Sequence, residues 1–371
     1  MRILEVIEAS GSGTLEIAGA IASRAARDGH EVTLAYGERP ETPPGLGLAP
    51  QAGLELVALP WADRRPATQV AAGRALRRLA AHGRPDVVHL HSSFAGLVGS
   101  VALPPGAPRV FTPHAWPSAR GGGGISTRLY GAAERWIVRR CDIVGAVSHS
   151  EAALASQRGA RRVVVVPNGI AELDPGRIPA PRERPEPVVV GAGRIGAQRR
   201  PASSARILAA LAGEARVEWI GGAPAGEDAP LVAAGVPVTG WLPRAEGLDR
   251  LAEATALLHW SSWDGQPLAI LEAFARDVVV IASDIPANRE LVGERQVCRD
   301  EAQAIALLRR VLTEPALREA MLADQRVRRE EHGAERMTLR WLELYGRLAA
   351  PAPVAHERDA TLRRNIERSW S

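Results

Sequence analysis

Lysine is missing from this chain: all 46 basic residues among its 371 are arginine. No amine is therefore available for a Schiff base, and every side-chain cation outside the histidines is a planar guanidinium suited to bidentate contact with phosphate or carboxylate. A GC-rich coding sequence accounts for the bias itself. Cysteine is nearly absent too. Cys141 and Cys298 lie far apart and fit no metal-ligand spacing. They read as core thiols of a reducing compartment rather than a disulfide framework. No apolar run approaches the roughly 20 residues that span a bilayer. Met1-Arg2-Ile3-Leu4 enters a strand at once, so no signal peptide is expected and the expected location is cytoplasmic. A net charge of only +4 argues against a nucleic-acid protein.

The 46% hydrophobic and 24% charged content describes a globular chain long enough for two domains. The first half alternates strand and helix. Apolar runs at 2–8, 31–36, 86–93, 109–114 and 142–148 each end in polar residues, as in a parallel sheet whose carboxyl edges line a crevice. The stretch from Leu15 reads as a helix that ends at Gly29. A proline-rich segment at 171–187 lacks periodicity and reads as a linker. A second alternating series begins at Val188 and continues through "RVEWIGG", "VPVTGW", "TALLHWSS" and "VVVIASD". Long helices follow to about Ala349. The resulting division is 1–170, linker 171–187, 188–335, a final helix at 336–350 crossing back to the first domain, and a tail at 351–371. Glycine-bearing strand-to-helix loops occur at Gly11-Ser12-Gly13 and at 191–196, where backbone amides can approach an anion.

The richest stretch is "WDGQPLAILEAFARD", Trp263 to Asp277. Gly265-Gln266-Pro267 predicts a tight loop, with Pro267 in the first turn of a helix. Leu268, Ile270, Leu271, Ala273, Phe274 and Ala275 make that helix apolar nearly all round, hence buried. Glu272 is then expected near its N-terminus. A buried carboxylate needs a partner, and two readings stand: a local cap or structural arginine pair, or a ligand contact.

These residues resemble the retaining nucleotide-sugar glycosyltransferases of the GT-B fold, in particular family 4 (glycosyltransferase group 1). That family carries two acids separated by seven residues around a glycine-containing loop. Here Asp264-Gly265-Gln266-Pro267-Leu268 and Leu271-Glu272-Ala273 stand at those places, with Ser261-Ser262 before them and Ala282-Ser283 and Glu290 after. Gly193-Arg194-Ile195 and Arg199 are similar to the segment whose cations hold the diphosphate. Gly240-Trp241-Leu242 resembles the turn that meets the base, Thr112-Pro113-His114 the segment with the active-site histidine, and Gly13 with Glu16 the loop near the diphosphate. Asn168-Gly169 resembles the turn entering the linker. The sequence departs from the pattern at Asp264, Gln266-Pro267, Arg199, Arg276-Asp277 and Val279.

The resemblance implies an α/β architecture, two Rossmann-like domains with parallel sheets facing across a cleft. It implies His114 and Asp264 as catalytic groups that orient the sugar. It implies donor binding by Gly13, Arg194, Arg199, Trp241, Leu242, Gly265, Gln266, Pro267, Leu268, Ala269 and Glu272, the last on the ribose. The implied reaction moves a sugar, from UDP in the first instance, to a hydroxyl or amine with retention, without a cofactor or metal. Alternatives are an epimerase or hydrolase on the same fold, or a non-catalytic nucleotide-sugar-binding subunit. His89 and His91 share one strand face but lack an evident third ligand, so a packing or acceptor-side role is expected. Asp86 and Asp142 are expected as solvated or turn residues. Arg74, Arg77 and Arg78, and more weakly Arg135, Arg139 and Arg140, form basic helix faces. These read as solvated, with peripheral contact to an anionic membrane at the inner face of the plasma membrane as the alternative.

Overall fold

The computed structural model describes residues 1–8, 13–38, 42–120, 124–171, 186–224 and 226–350. Most of the linker, the tail and Gly11-Ser12 lie outside the described residues. Two parallel sheets organise the rest. The first has β1 (Arg2–Ile7), β2 (Glu31–Gly37), β3 (Leu54–Leu59), β4 (Val87–His91), β5 (Arg109–Thr112), β6 (Ile143–Ala146) and β7 (Val163–Val165). They run in the order β3-β2-β1-β4-β5-β6-β7. The second has β8 (Val188–Ala192), β9 (Arg216–Ile220), β10 (Ala256–His259), β11 (Val279–Ser283) and β12 (Val297–Cys298), ordered β12-β11-β10-β8-β9. Both are doubly wound, with order reversals between β1 and β4 and between β8 and β10. Open α/β sheets bind ligands outside such reversals, at the carboxyl ends of the strands.

The strands explain the sheets. β4, β8 and β11 are buried along their whole length, as expected where helices cover both faces. Each sheet has an apolar cluster on either side. In the first half the predicted strands stand within two residues of the observed ones. β3 and β12 carried no clear alternation and were not anticipated. "VPVTGW" forms only two isolated bridges, Trp219 to Val238 and Gly221 to Gly240, because Pro237 cannot donate to a ladder.

Helix α1 (Gly13–Arg27) covers β1. The first domain continues with α2 (Pro66–Gly83), α3 (Ser93–Ala102), α4 (Ile125–Arg140) and α5 (His149–Gln157). The second carries α6 (Pro201–Ala209), α7 (Ala229–Ala233), α8 (Arg244–Ala252), α9 (Leu268–Ala275), α10 (Pro286–Val292), α11 (Glu301–Thr313) and α12 (Pro315–Arg329). The last helix, α13 (Ala334–Ala349), packs Met337, Trp341, Leu344 and Tyr345 into the core of the first sheet. The chain thus crosses between domains twice, side by side. Ile170 N–H donates to His332 O and Ala334 N–H to Ile170 O, both at 2.9 Å.

Candidate active site

The loop after β10 is built around a buried ion pair. Asp264 Oδ2 lies 2.7 Å from Arg199 Nη1 and 3.2 Å from His259 Nε2. Burial opposes the charge on Asp264, but the Arg199 guanidinium and His259 outweigh it and hold the carboxyl down to about 2. Burial and Arg199 push His259 down to about 4, so it is neutral at pH 7. The same Nη1 donates to His259 Nε2 at 2.8 Å and to Ser261 Oγ. Arg199 Nε and Nη2 instead lie on the side of Gly193, where a Cβ would stand 3.7 and 3.9 Å from them, and carry no hydrogen bond to a described residue. Asp264 and Arg199, read from sequence as separate sugar and phosphate ligands, are therefore one unit with an open donor edge.

Pro267 caps α9 and Leu268 opens it, one residue later than expected. Glu272 is the fifth of eight helical residues, not near the N-terminus, and it is half-buried rather than buried. The open stripe is Leu268, Ala269, Glu272 and Arg276, which follows helical spacing. Glu272 Oε1 pairs with Arg244 Nη2 at 2.8 Å, and Arg244 Nε reaches Glu16 Oε2 at 3.1 Å. One guanidinium, with its side chain 45% exposed, thus links acids of both domains. Glu272 thus has a structural arginine as its partner.

The first domain presents two features to this loop. A Cβ at Gly13 would stand 2.9 Å from Leu268 Cδ1, so the N-termini of α1 and α9 converge. The first N–H groups of each helix lack intrahelical acceptors, and both dipole ends are positive. His114 adopts φ 57°, an uncommon conformation for a non-glycine residue. A Cβ at Gly265 would lie 3.0 Å from its carbonyl. Behind His114 stand three groups buried completely, Glu5, His89 and His91. His91 bonds His114 Nε2 through Nδ1 at 2.9 Å and Glu5 Oε2 through Nε2 at 2.6 Å. His89 bonds Tyr345 OH and Thr112 Oγ1. Glu5, invisible to sequence reasoning as a partner, supplies the missing third group at metal-ligand spacing. Every ring nitrogen of His89 and His91 is nevertheless committed to a hydrogen bond.

Further contacts close the domains on each other. Gln266 Oε1 accepts from Asn168 N at 2.5 Å and its carbonyl from Asn168 Nδ2 at 3.0 Å, so this side chain ties the loop to the hinge. Glu290 accepts from His149 N at 2.8 Å and Ser150 N at 2.7 Å, at the opening of α5. On the same helix Glu151 is buried, its Oε1 has no hydrogen-bond partner among the described residues, and burial pushes it up to about 8. Its Oε1 would be 2.9 Å from a Cβ on Gly265.

The family profile described as Glycosyltransferase Family 4 matches residues 14–172, and that described as Glycosyl transferases group 1 matches 186–314. The chain belongs to the GT-B glycosyltransferases of this group. Its fold is similar to that of sucrose-phosphate synthase from Thermosynechococcus elongatus, with TM-score 0.79, 16% identity, and 94% of this chain and 99% of that one covered. It is also similar to Anabaena HepE solved with UDP and glucose, at TM-score 0.74, 16% identity, 93% and 99% covered. WaaG, a glycosyltransferase of lipopolysaccharide biosynthesis, gives TM-score 0.70, 16% identity, 93% and 99% covered. No curated protein matches in sequence.

In this glycosyltransferase the remaining anticipated residues fall as follows. Arg194 is exposed at the end of β8 and forms no ion pair with a described residue. Trp241 is 54% exposed with its ring against Gly222, and Leu242 packs partly on the second core. Asp86 and Asp142 are not merely solvated. Each accepts a backbone N–H of a neighbouring strand, from Arg2 at 2.7 Å and Arg109 at 2.8 Å. Both cysteines are buried thiols, pushed up by burial to about 12 for Cys141 and about 11 for Cys298, as core thiols should be. Sequence reasoning missed His259 and Glu151. The one signal for His259 was a polar residue ending the apolar strand "TALLH". Glu151 had none, because its neighbours at the seam come from the other domain.

Proposed function

We propose that the chain is a retaining transferase that moves a sugar from a nucleoside diphosphate, UDP first, to an acceptor hydroxyl or amine without a divalent metal. The observation that carries this is the convergence of two helix N-termini at Gly13 and Leu268, next to the loop where Arg199 holds Asp264; Arg194 and the open edge of Arg199 are the proposed cations for the diphosphate. Charge builds on the departing diphosphate, and preorganised amides and guanidinium groups aimed there lower the barrier. The amides are those of Leu268 and Ala269. Asp264, fixed by Arg199 and His259, is held to accept from sugar hydroxyls, and His114, whose backbone meets Gly265 across the seam, is the second group that orients the sugar. Glu272 exchanges Arg244 for the ribose hydroxyls, the arginine being exposed enough to swing away. The fold shared with HepE, solved with UDP and glucose, supports the uridine donor. The test is transfer in EDTA with the product's anomeric configuration read by NMR. A retained linkage and full rate are expected. An inverted product, or dependence on added Mg²⁺ or Mn²⁺, refutes the mechanism.

We also propose peripheral contact with an anionic membrane through α4. Ile125, Leu129 and Trp136 are 78%, 66% and 43% exposed, and Arg140 lies 3.6 Å over the Trp136 ring. Exposed apolar side chains flanked by Arg135, Arg139 and Arg140 suit a charged interface. Co-sedimentation with phosphatidylglycerol vesicles but not phosphatidylcholine vesicles is expected, and loss of the difference on Trp136→Ser with Leu129→Ser. Equal recovery with both vesicle types overturns it.

A further inference from the structure

Glu5 lies in β1, with its carboxyl 0% exposed. Its two oxygens have different tasks. Oε1 accepts from Tyr345 OH at 2.8 Å. The tyrosine oxygen then takes the proton of His89 Nδ1 at 2.5 Å, and His89 Nε2 accepts from Thr112 Oγ1 at 2.8 Å. That branch assigns one proton to each bond and is complete. Oε2 hydrogen-bonds the other branch, through His91 to His114, whose rings stack at 5.2 Å and 19°, while His89 Nδ1, turned to Tyr345, stays at 3.4 Å from it. His114 Nε2 is consumed by His91, so its Nδ1 is the nitrogen left over. It is not among the buried atoms lacking a partner.

We propose that Glu5, His91 and His114 form a proton wire in which Glu5 decides whether His114 offers the cleft a donor or an acceptor. With Glu5 protonated, Oε2–H donates to His91 Nε2, His91 Nδ1–H donates to His114 Nε2, and His114 carries its proton on Nδ1. When that Nδ1 proton leaves to a base or to water, His91 passes its Nδ1 proton to His114 Nε2 and Glu5 passes its proton to His91 Nε2. One proton leaves in total. Both imidazoles remain neutral, and the negative charge resides on Glu5. A carboxyl sealed in the core thus titrates at a ring nitrogen in the cleft.

The electrostatics favour this division. Burial pushes Glu5 up to about 8, against the lowering hydrogen bond from Tyr345. Burial drives His91 down to about 3 and His89 and His114 well below their ordinary value, so no imidazolium forms on the way. The groups facing Glu5 are His89 and His91 from β4 and Tyr345 from α13, while β2 pairs Leu34 with it. None is a cation at neutral pH. At pH 7 the donor state prevails, with a proton on His114 Nδ1 for an oxygen of the ligand. Glu5 is accordingly a positioning residue for His114.

The inference rests on His114 as a group of the cleft, and its test needs no substrate. In the ¹⁵N-labelled protein, long-range proton–nitrogen correlations report which nitrogen of His114 is protonated. The expected result is the Nδ1–H form at pH 6.5 and the Nε2–H form at pH 9.5, with one transition near 8. Glu5→Gln should abolish the transition. Tyr345→Phe, which removes a bond that stabilises the carboxylate, should move it upward. If Glu5→Gln does not fold, the wild-type titration and Tyr345→Phe still decide. An Nε2–H tautomer at pH 6.5, or a His114 form constant across the range, overturns the wire. Full transfer by His114→Ala with the NMR transition of the wild type intact would instead remove His114 from the reaction and leave the wire standing.

Discussion

Asp264 keeps its charge inside the fold because Arg199 and His259 meet it within hydrogen-bonding distance. Its carboxyl is 9% exposed, so solvent does little to screen the pair. Removing one partner of a buried pair leaves an uncompensated charge and costs about 3–5 kcal/mol. Arg199→Ala should therefore destabilise the second domain by that order in urea unfolding, and adding Asp264→Asn should restore part of the loss. Additive losses would show that the two do not act as a pair. The pair also sets an acid limit. The folded value is depressed from 3.8 to about 2. Its contribution, about 2–3 kcal/mol, is present above pH 4 and is lost as pH falls through 2.

Helix α9 shows how an element divides its surface. Its buried side, with Ile270, Leu271, Ala273 and Phe274, belongs to the second core. The narrow stripe with Leu268, Ala269 and Glu272 is left to the cleft. The composition predicts a buried helix, and only the position of α1 and α8 around it makes one stripe a site wall. Helix α5 is held differently. Its N-terminus receives the Glu290 carboxylate from the opposite domain, where the dipole and two free N–H groups favour an anion. Glu290→Ala should cost only about 1 kcal/mol in stability while loosening the seam. Small-angle scattering should then give a larger radius of gyration for the ligand-free variant than for wild type. An unchanged radius would mean that the hinge contacts at Asn168 and Gln266 suffice.

At the scale of the molecule the buried titratable groups give stability a defined pH profile. Glu5 and Glu151 have folded values raised from 4.5 to about 8, mainly by burial. The folded state therefore holds more protons than the unfolded one across that interval, and stability falls as pH rises through it. The buried histidines act in the opposite sense. His89, His91, His114 and His259 are lowered by burial, so stability rises with pH up to about their ordinary 6.5. Between pH 6.5 and 8 those histidines are neutral in both states and the two glutamates remain. Wild-type stability should fall there, by about 1–2 kcal/mol for each acid, and Glu5→Gln and Glu151→Gln should each remove part of the slope. A flat profile in denaturant titrations at these pH values would refute the assignment.

The sequence by itself determined the two parallel sheets, because continuous β-branched runs such as Val278 to Ile281 are stable only where both faces are covered. Chain order and helix covers followed. It also determined the loop at Asp264 to Pro267 and the chemistry of its groups, since glycine, proline and acidic residues act locally. Tertiary structure alone decided which groups meet. Glu5 and His91 are 86 residues apart and Glu5 and Tyr345 are 340 apart, and no periodicity relates them. Asp264 finds Arg199, Glu272 finds Arg244, and Gly265 finds Glu151 for the same reason. Pairing in a cleft depends on where two domains come to rest, and that is set by the summed packing of α13 and the hinge rather than by any local signal.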